Sequence, residues 1–299
     1  MKLRFLSTSL LLLFSLTLFN CCKKYEEKVV PDNVAPPDFT VSSVIMETYV
    51  NKVYISVLGR KPLESEYNSG FQTIRGGNLS DSTRSIFLND VMSKAEYYPH
   101  IYNLARQDLL NDLDTAEITN MILLFTSFLP LPEYADYVEQ LQKEIDRLVA
   151  VRQIPTHIAG GSPYAIADMH QRLVNNYFYD QLNMGTFNFV TSSFEHFLYR
   201  SPTESELSGA SKMVDGMVGT LFFNSGKTKD EYLNIFFHLG IDYYQGQVRT
   251  LFQRYLFRDP SSEETAQLAA KYKASGDYKQ LQKDILSMDE FVGLEKQTN

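Results

Sequence analysis

The sequence is poor in cysteine and has no tryptophan. Its two cysteines are Cys21 and Cys22, so the rest of the chain cannot form a disulfide, an iron–sulfur cluster or a CxxCH haem attachment. The GxGxxG, Walker, HExxH, GxSxG and CxxC motifs are also missing. No pair of histidines has a metal-ligand spacing; the histidines are His100, His157, His170, His196 and His238. The sequence therefore predicts no metal, no cofactor and no catalytic residue, and favours a protein that is not an enzyme.

Basic side chains are in the minority. The chain carries 28 lysines and arginines against 36 aspartates and glutamates, a net charge of −8. Loss of Lys2 and Arg4 with an N-terminal signal removes two positive charges and brings the net charge to −10. A nucleic-acid-binding protein needs a basic field that attracts phosphates, so the composition excludes nucleic acid as a partner.

The apolar run at the N-terminus is shorter than the roughly 20 residues that a membrane-spanning helix needs. Residues 6–19 follow two basic residues and end just before Cys21, which is the order of a secretion signal. Leu18, three positions before Cys21, resembles the lipobox of bacterial lipoproteins, whose cysteine receives diacylglycerol. Asn20 departs from the small residue that the family has before the cysteine, and Cys22 is the alternative lipidation site.

Residues 1–20 are therefore predicted to be a lipoprotein signal peptide, and residues 21–38 a flexible tether. The lysines, the paired acids Glu26 and Glu27 and three prolines suit an extended chain. The start of the tether resembles the signal that exports Bacteroidetes lipoproteins to the outer face of the outer membrane; the alternative is a merely solvated linker. The resemblance implies a lipid anchor in the outer membrane, with the body facing either the periplasm or the cell surface.

A repeat dominates the rest of the chain. The pattern aromatic-x3-Leu-x-Arg-x-Pro-x3-Glu occurs three times, from Tyr54, Phe194 and Phe252. Its charged residues and prolines are Arg60, Pro62, Glu66, Arg200, Pro202, Glu206, Arg258, Pro260 and Glu264. Further along each copy comes an acid–aromatic pair: Glu96–Tyr97, Asp242–Tyr243 and Glu290–Phe291.

Each copy has the signals of a helix, a tight corner and a second helix. The arginine is expected in the last turn of the first helix, and the proline at the first position of the second. Ser201 with Glu204 is the expected N-cap in the second copy, and Asp259 the cap in the third. The motif glutamate is expected to reach the arginine across the corner. These residues are interpreted as structural joints, since an active-site motif rarely occurs in triplicate.

The Leu-x-Arg-x-Pro-x3-Glu core resembles the "LGR-x-P-x3-E" helical domains of unknown function in secreted and cell-surface bacterial proteins. The resemblance implies an all-α fold, an exported setting and no established activity. Helical periodicity elsewhere agrees, and no strand pattern is convincing. The expected fold is an irregular all-α array of helix–corner–helix joints. A break at residues 153–163 separates an N-terminal region, 39–152, from a C-terminal region, 153–299, unless the two form one continuous domain.

A polar stretch in the middle of the chain contains the candidate ligand-binding residues. The candidates are Asp168, His170, Arg172, Asn175, Asn176 and Tyr179. On a helix all of them except His170 fall along neighbouring faces. Amides beside tyrosines can hydrogen-bond a sugar or a peptide. The alternative is a buried polar network that joins the two halves of the chain.

Three functions fit these observations. The first is a non-enzymatic interaction or scaffold module, held at the cell envelope by its lipid and bound to an envelope or surface protein. The second is a surface glycan-binding lipoprotein of a polysaccharide-uptake system. The third is an envelope hydrolase whose carboxylates come together only in the folded chain. The tether and the repeated joints favour the first.

Replacing Cys21 with serine should release the protein from membranes, because the thiol is the predicted site of lipid attachment. Fractionation of cells that produce Cys21→Ser should find the protein in the soluble fraction, with Cys22→Ser as the matched control. Release by Cys22→Ser alone would make Cys22 the anchor, and retention of the double variant would refute lipidation.

Overall fold

The computed structural model describes residues 40–294. The predicted signal peptide, the tether and both cysteines lie outside the described residues. Residues 41–294 belong to one compact unit. The predicted break near residue 153 falls inside this unit, between a helix that ends at Arg152 and one that begins at Ile154.

Sixteen α-helices make up most of residues 40–294. They are α1 Ser43–Leu58, α2 Glu64–Gly76, α3 Asp81–Val91, α4 Tyr97–Leu110, α5 Thr115–Phe128, α6 Val138–Arg152, α7 Ile154–Ala159, α8 Ala165–Val174, α9 Tyr177–Leu182, α10 Thr186–Leu198, α11 Glu204–Val214, α12 Lys229–Asn234, α13 Asp242–Leu256, α14 Ser262–Ser275, α15 Tyr278–Leu286 and α16 Asp289–Val292. A 3₁₀ turn covers Pro132–Tyr137, and a π-helical turn covers Ile235–Leu239. The predicted all-α fold class is confirmed.

A small β-hairpin between α11 and α12 has no counterpart in the sequence expectations. Strands β1 Gly219–Leu221 and β2 Asn224–Gly226 pair antiparallel. The hairpin packs so closely on α11 that a Cβ on Gly219 would lie 2.0 Å from the carbonyl oxygen of Gly209. Phe222 and Phe223 form the turn with φ of 49° and 64°, where asparagine or glycine is usual. The absence of these turn residues explains why the pattern gives no hairpin signal.

The three corners have the same backbone conformation. Each first helix ends at the motif leucine, and the next residue is left-handed: Gly59, Tyr199 and Phe257 have φ of 71°, 55° and 55°. The arginine comes directly after this residue. The expectation that the arginine lies in the last helical turn is therefore wrong, because one left-handed residue already ends the helix.

The second helix of each joint begins later than expected. Its N-cap is the residue after the proline, namely Leu63, Thr203 or Ser261. The proline therefore precedes the cap, and the caps predicted at Ser201 and Asp259 are wrong. The motif glutamate decides the position: it is the third helical residue, and its carboxylate accepts the N–H of the cap residue at 2.7–2.8 Å.

The two ends of the described chain meet in the core. The hydroxyl of Tyr49 in α1 donates to the carbonyl oxygen of Leu286 at 3.2 Å. Lys52 in α1 donates to the carbonyl oxygen of Phe291 at 2.5 Å and lies 4.3 Å from the centre of its ring. Arg84, on the neighbouring helix α3, is buried and donates to the carbonyl oxygen of Ser287 at 2.7 Å. The last repeat thus packs on the first.

The substitutions Gly59→Ala and Phe257→Gly should change the stability of the fold in opposite directions, although both positions have the same left-handed backbone. A Cβ on Gly59 would lie 2.6 Å from ring atoms of His100, so Gly59→Ala should cost about 1–2 kcal/mol. The Phe257 side chain is 87% exposed, so Phe257→Gly should relieve strain and gain about 0.5–1 kcal/mol.

Urea denaturation measures both changes, with Phe257→Ala as the control that keeps the Cβ. Loss of stability in Phe257→Gly equal to that in Gly59→Ala would contradict a strained corner.

Candidate functional site

Each motif arginine is held between two carboxylates. In the first corner Arg60 donates to both carboxylate oxygens of Glu66, at 2.7 and 3.0 Å. The same guanidinium donates to Glu96 at 2.8 Å from Nη2 and 3.2 Å from Nε. The ring of Tyr54 lies 5.7 Å from the guanidinium carbon. We call this unit, an arginine between two carboxylates and beside a ring, the arginine clamp.

The third corner repeats the arginine clamp closely. Arg258 donates to Glu264 at 2.7 and 2.9 Å and to Glu290 at 2.8 to 3.0 Å. The ring of Phe252 lies 4.9 Å from the guanidinium carbon. The aromatic residue, the arginine and the glutamate of the pattern therefore all take part in the clamp.

The second corner is a looser version. Arg200 donates to both oxygens of Glu206 at 2.7 Å, beside the ring of Phe194 at 5.1 Å. Its contact with Asp242 is longer, 3.4 Å. The acid of the later pair is an aspartate here, one methylene shorter than the glutamate in the other copies, and this accounts for the longer distance.

The acid–aromatic pairs close the clamps, a role that the sequence did not reveal. The acid supplies the second carboxylate, and the aromatic ring enters the core: Tyr97, Tyr243 and Phe291 are at most 1% exposed. Each pair lies at the start of α4, α13 or α16, where a negative charge is favourable. A repeat thus runs from its first helix to the start of the third α-helix after the corner, and the second and third copies share α13.

The clamps leave the motif carboxylates strongly ionised. Hydrogen bonds from the arginines lower the pKa of Glu66, Glu206 and Glu264 to about 2, and the backbone N–H of the helix cap contributes further. In each clamp the arginine and the motif glutamate are hydrogen-bonded to one another. This supports the interpretation of the repeated residues as structural joints.

The candidate ligand-binding residues divide into two sets. Three of them are bonded within the core. His170 Nδ1 lies 2.8 Å from the Tyr243 hydroxyl, and burial lowers the pKa of His170 to about 3. Asn176 caps α9 by accepting two backbone N–H groups, and the Tyr179 hydroxyl lies 3.0 Å from His196 Nδ1. These three side chains make buried polar contacts, but all of the partners named here lie in the C-terminal region, so the contacts do not join the two halves of the chain.

The other three candidates, Asp168, Arg172 and Asn175, share one face of α8 and its C-terminal cap. This face opens on a cleft of about 320 Å³, which we call the α8 cleft. Its lining residues are Arg147, Ala150, Asp168, Gln171, Arg172 and Asn175. The spacing of three and four residues along α8 explains why these polar side chains point the same way.

Two histidines flank the carboxylate of Asp168. His157 Nε2 lies 3.2 Å from Oδ2, and His238 Nε2 lies 3.4 Å from Oδ1. His238 Nε2 is also 3.0 Å from Gln171 Oε1. His238 belongs to the π-helical turn, a rare element that often occurs at functional sites. Sequence reasoning missed both histidines because they lie on separate segments from α8 and no local pattern joins them.

Near the α8 cleft, Asp230 is in contact with two cations and one side-chain amide. Arg147 and Asn175 donate to Oδ1 at 2.9 Å, and Lys143 lies 2.8 Å from Oδ2. Burial opposes ionisation, but these contacts hold the pKa of Asp230 well below its usual range. The charge of Arg147 is therefore compensated inside the protein.

The hairpin of α5 and α6 exposes apolar side chains. Between Thr115 and Leu131 only Glu117 carries a charge, yet only Ile118 of α5 is buried. Met121, Ile122 and Phe125 pack partly against the core. The opposite face is open to solvent, where Leu123 is 62% and Leu124 45% exposed.

Further cavities lie elsewhere. One, of about 320 Å³, is lined by the predicted break at Gly161, Ser162 and Pro163 and by Tyr98 and Lys279. Another reaches His170 but holds only about 70 Å³, room for a few water molecules.

The comparisons with known proteins add no identity to this geometry. The chain matches no protein-family model, no curated protein and no solved structure. Within residues 40–294, no three histidine, cysteine or acidic side chains are grouped so that they could hold a metal ion. In the same range, no helix has both the length and the apolar character that a membrane span requires.

The substitution Glu206→Gln should lower the stability of the fold at neutral pH and lower it less in acid. The folded pKa of about 2 lies below the ordinary value of 4.5, so the carboxylate stabilises the fold above pH 4.5 and this contribution is lost as the pH falls towards 2. After allowance for solvent screening, Glu206→Gln should cost about 1–2 kcal/mol at pH 7.

Thermal unfolding at pH 7 and pH 3 measures the difference, and Glu204→Gln, an exposed neighbour on the same turn, is the control. A penalty for Glu206→Gln that does not shrink at pH 3 would contradict the clamp.

Proposed function

We propose that the chain is an exported lipoprotein, anchored through Cys21, whose helical body is a protein-interaction module of the cell envelope. The N-terminal signal and the lipobox-like cysteine support the anchor. The observation that carries the interaction role is α5, an almost uncharged helix that buries one side chain of its fourteen residues. Exposed apolar side chains that are contiguous on a helix are typical of docking surfaces.

We call the exposed apolar side chains of the helical hairpin α5–α6 the apolar hairpin surface. They lie on α5, on the connection to α6 and at the first residue of α6, and they are Leu123, Leu124, Leu131, Tyr137 and Val138. All five side chains are between 38% and 62% exposed. An anchored protein gains from such a surface only if a partner covers it, because free apolar area favours association.

The border of this surface is acidic. Glu133, Asp136 and Glu139 are exposed around the connection between α5 and α6, and no lysine or arginine of the described residues pairs with them. A partner with an apolar face edged by lysines or arginines would satisfy both features. We therefore infer an envelope or surface protein of that chemistry.

The arginine clamps support an interaction role over catalysis. Each arginine and each motif glutamate is already hydrogen-bonded within its clamp, so the repeat contributes shape and leaves few reactive groups free. Glycan binding is the second candidate function, and the cavity beside Tyr98 and Lys279 favours it.

Replacing Leu123 and Leu124 with glutamate should weaken binding of the partner and leave the fold intact. Full-length protein isolated from its native membranes should carry a partner in fixed stoichiometry, and the complex should weaken in high salt because a charged border is screened. Leu123→Glu with Leu124→Glu should lower recovery about tenfold or more, since two apolar contacts are lost to charge.

Ile86→Glu, an equally exposed site on α3, is the matched control. Light scattering and vesicle flotation with the purified protein test two other occupants of this surface, a second copy of the chain and a lipid membrane. Self-association or lipid binding that the double variant abolishes would show that one of these, and not a partner protein, covers the surface. A co-purified polysaccharide would favour the glycan function.

A further inference from the structure

Arg172 carries a positive charge that no described carboxylate compensates. Its polar contacts are the carbonyl oxygen of Ala150 and Nδ1 of His157, both at 3.4 Å. Across the α8 cleft, Arg147 pairs with Glu144 and Asp230. No carboxylate oxygen of residues 40–294 comes within the 4.0 Å of an ion pair to Arg172. A guanidinium with free donors facing a cleft is suited to a carboxylate ligand.

Asp168 carries the opposite charge, and it too has no described ionic partner that is permanently charged. Its neighbours are the imidazoles of His157 and His238. No lysine or arginine nitrogen of residues 40–294 lies within 4.0 Å of its oxygens. The carboxylate is 37% exposed, so a ligand in the cleft can reach it.

Hydrogen bonds orient both imidazoles towards Asp168. Arg172 can only donate, so Nδ1 of His157 accepts from it, and Nε2 of His157 donates to Asp168. His238 Nε2 faces two acceptors, Gln171 Oε1 and Asp168 Oδ1. Burial lowers the pKa of His238. The cleft therefore presents one cation without a carboxylate partner and one carboxylate without a lysine or arginine partner, and the ring of His157 lies between them.

Asn175 adds an unsatisfied acceptor. Its Nδ2 donates to Asp230 at 2.9 Å, which fixes the orientation of the amide. Its Oδ1 is buried and has no hydrogen-bond partner among the described residues. A buried polar atom without a partner is costly, and this one belongs to a residue that lines the α8 cleft.

We propose that the α8 cleft binds a small zwitterion, an amino acid or a short peptide with free termini, whose carboxylate contacts Arg172 and whose ammonium group contacts Asp168. The volume of about 320 Å³ is at the lower end of ligand sites, which limits the ligand to a few residues. This site lies apart from the apolar hairpin surface and does not depend on its role.

Isothermal titration calorimetry of the full-length protein in detergent tests the proposal with alanine, dialanine and trialanine, which distinguish an amino acid from a peptide. At least one probe should bind. Its C-terminal amide and its N-acetyl derivative should each bind about tenfold more weakly, because each loses one charge-assisted contact.

Two variants assign each charge to its residue. In Arg172→Gln the free acid and the amide should bind equally, while the N-acetyl derivative remains weaker; Asp168→Asn should show the reverse. Arg152→Gln, at the exposed end of α6, is the control and should bind as the parent does. Absence of binding by all three probes would overturn the proposal, and so would an Arg172→Gln variant that still prefers the free acid to the amide. Thermal unfolding checks that each variant is folded. If Asp168→Asn does not fold, Arg172→Gln alone decides.

Discussion

The structure depends on one contact made three times, a guanidinium held by two carboxylates beside an aromatic ring. In the first copy the ring comes from α1, the first carboxylate from the third residue of α2, and the second from the residue before α4. One side chain thus fixes the ends of three helices. The arginine side chains are 31–37% exposed, so each pair gives modest energy. The two-pronged geometry mainly fixes orientation, while the buried rings beside it supply the apolar contribution.

The sequence predicted the joints but not their details, and the reason differs for each detail. Constant spacing indicated the helix–corner–helix form and the reach from arginine to glutamate. The left-handed residue is signalled by Gly59 in one copy only, since Tyr199 and Phe257 disfavour that conformation in isolation. The caps were misplaced because Ser201 and Asp259 are good caps locally. The arginine clamp overrides this preference by requiring the glutamate at the third helical position.

The ligand-binding candidates show the same limit of local reasoning. Helical spacing placed Asp168, Arg172 and Asn175 on one face, and it separates Asp168 from His170, two residues further on the opposite side. Periodicity does not say which face is buried. His170 faces Tyr243 in the core, whereas Asp168 meets His157 and His238 at the surface. Only tertiary contacts between segments far apart in the chain bring those histidines to α8.

The features proposed for function lie mainly between residues 98 and 185, outside the repeat copies. A clamp binds its arginine to two carboxylates and buries its rings, so the repeated residues have little left to offer a ligand. His238 is the exception that connects the two parts. Its π-helical turn lies three residues before Asp242, which belongs to the second clamp. The turn thus lies close in the chain to the second clamp and carries the imidazole that lies 3.4 Å from Asp168.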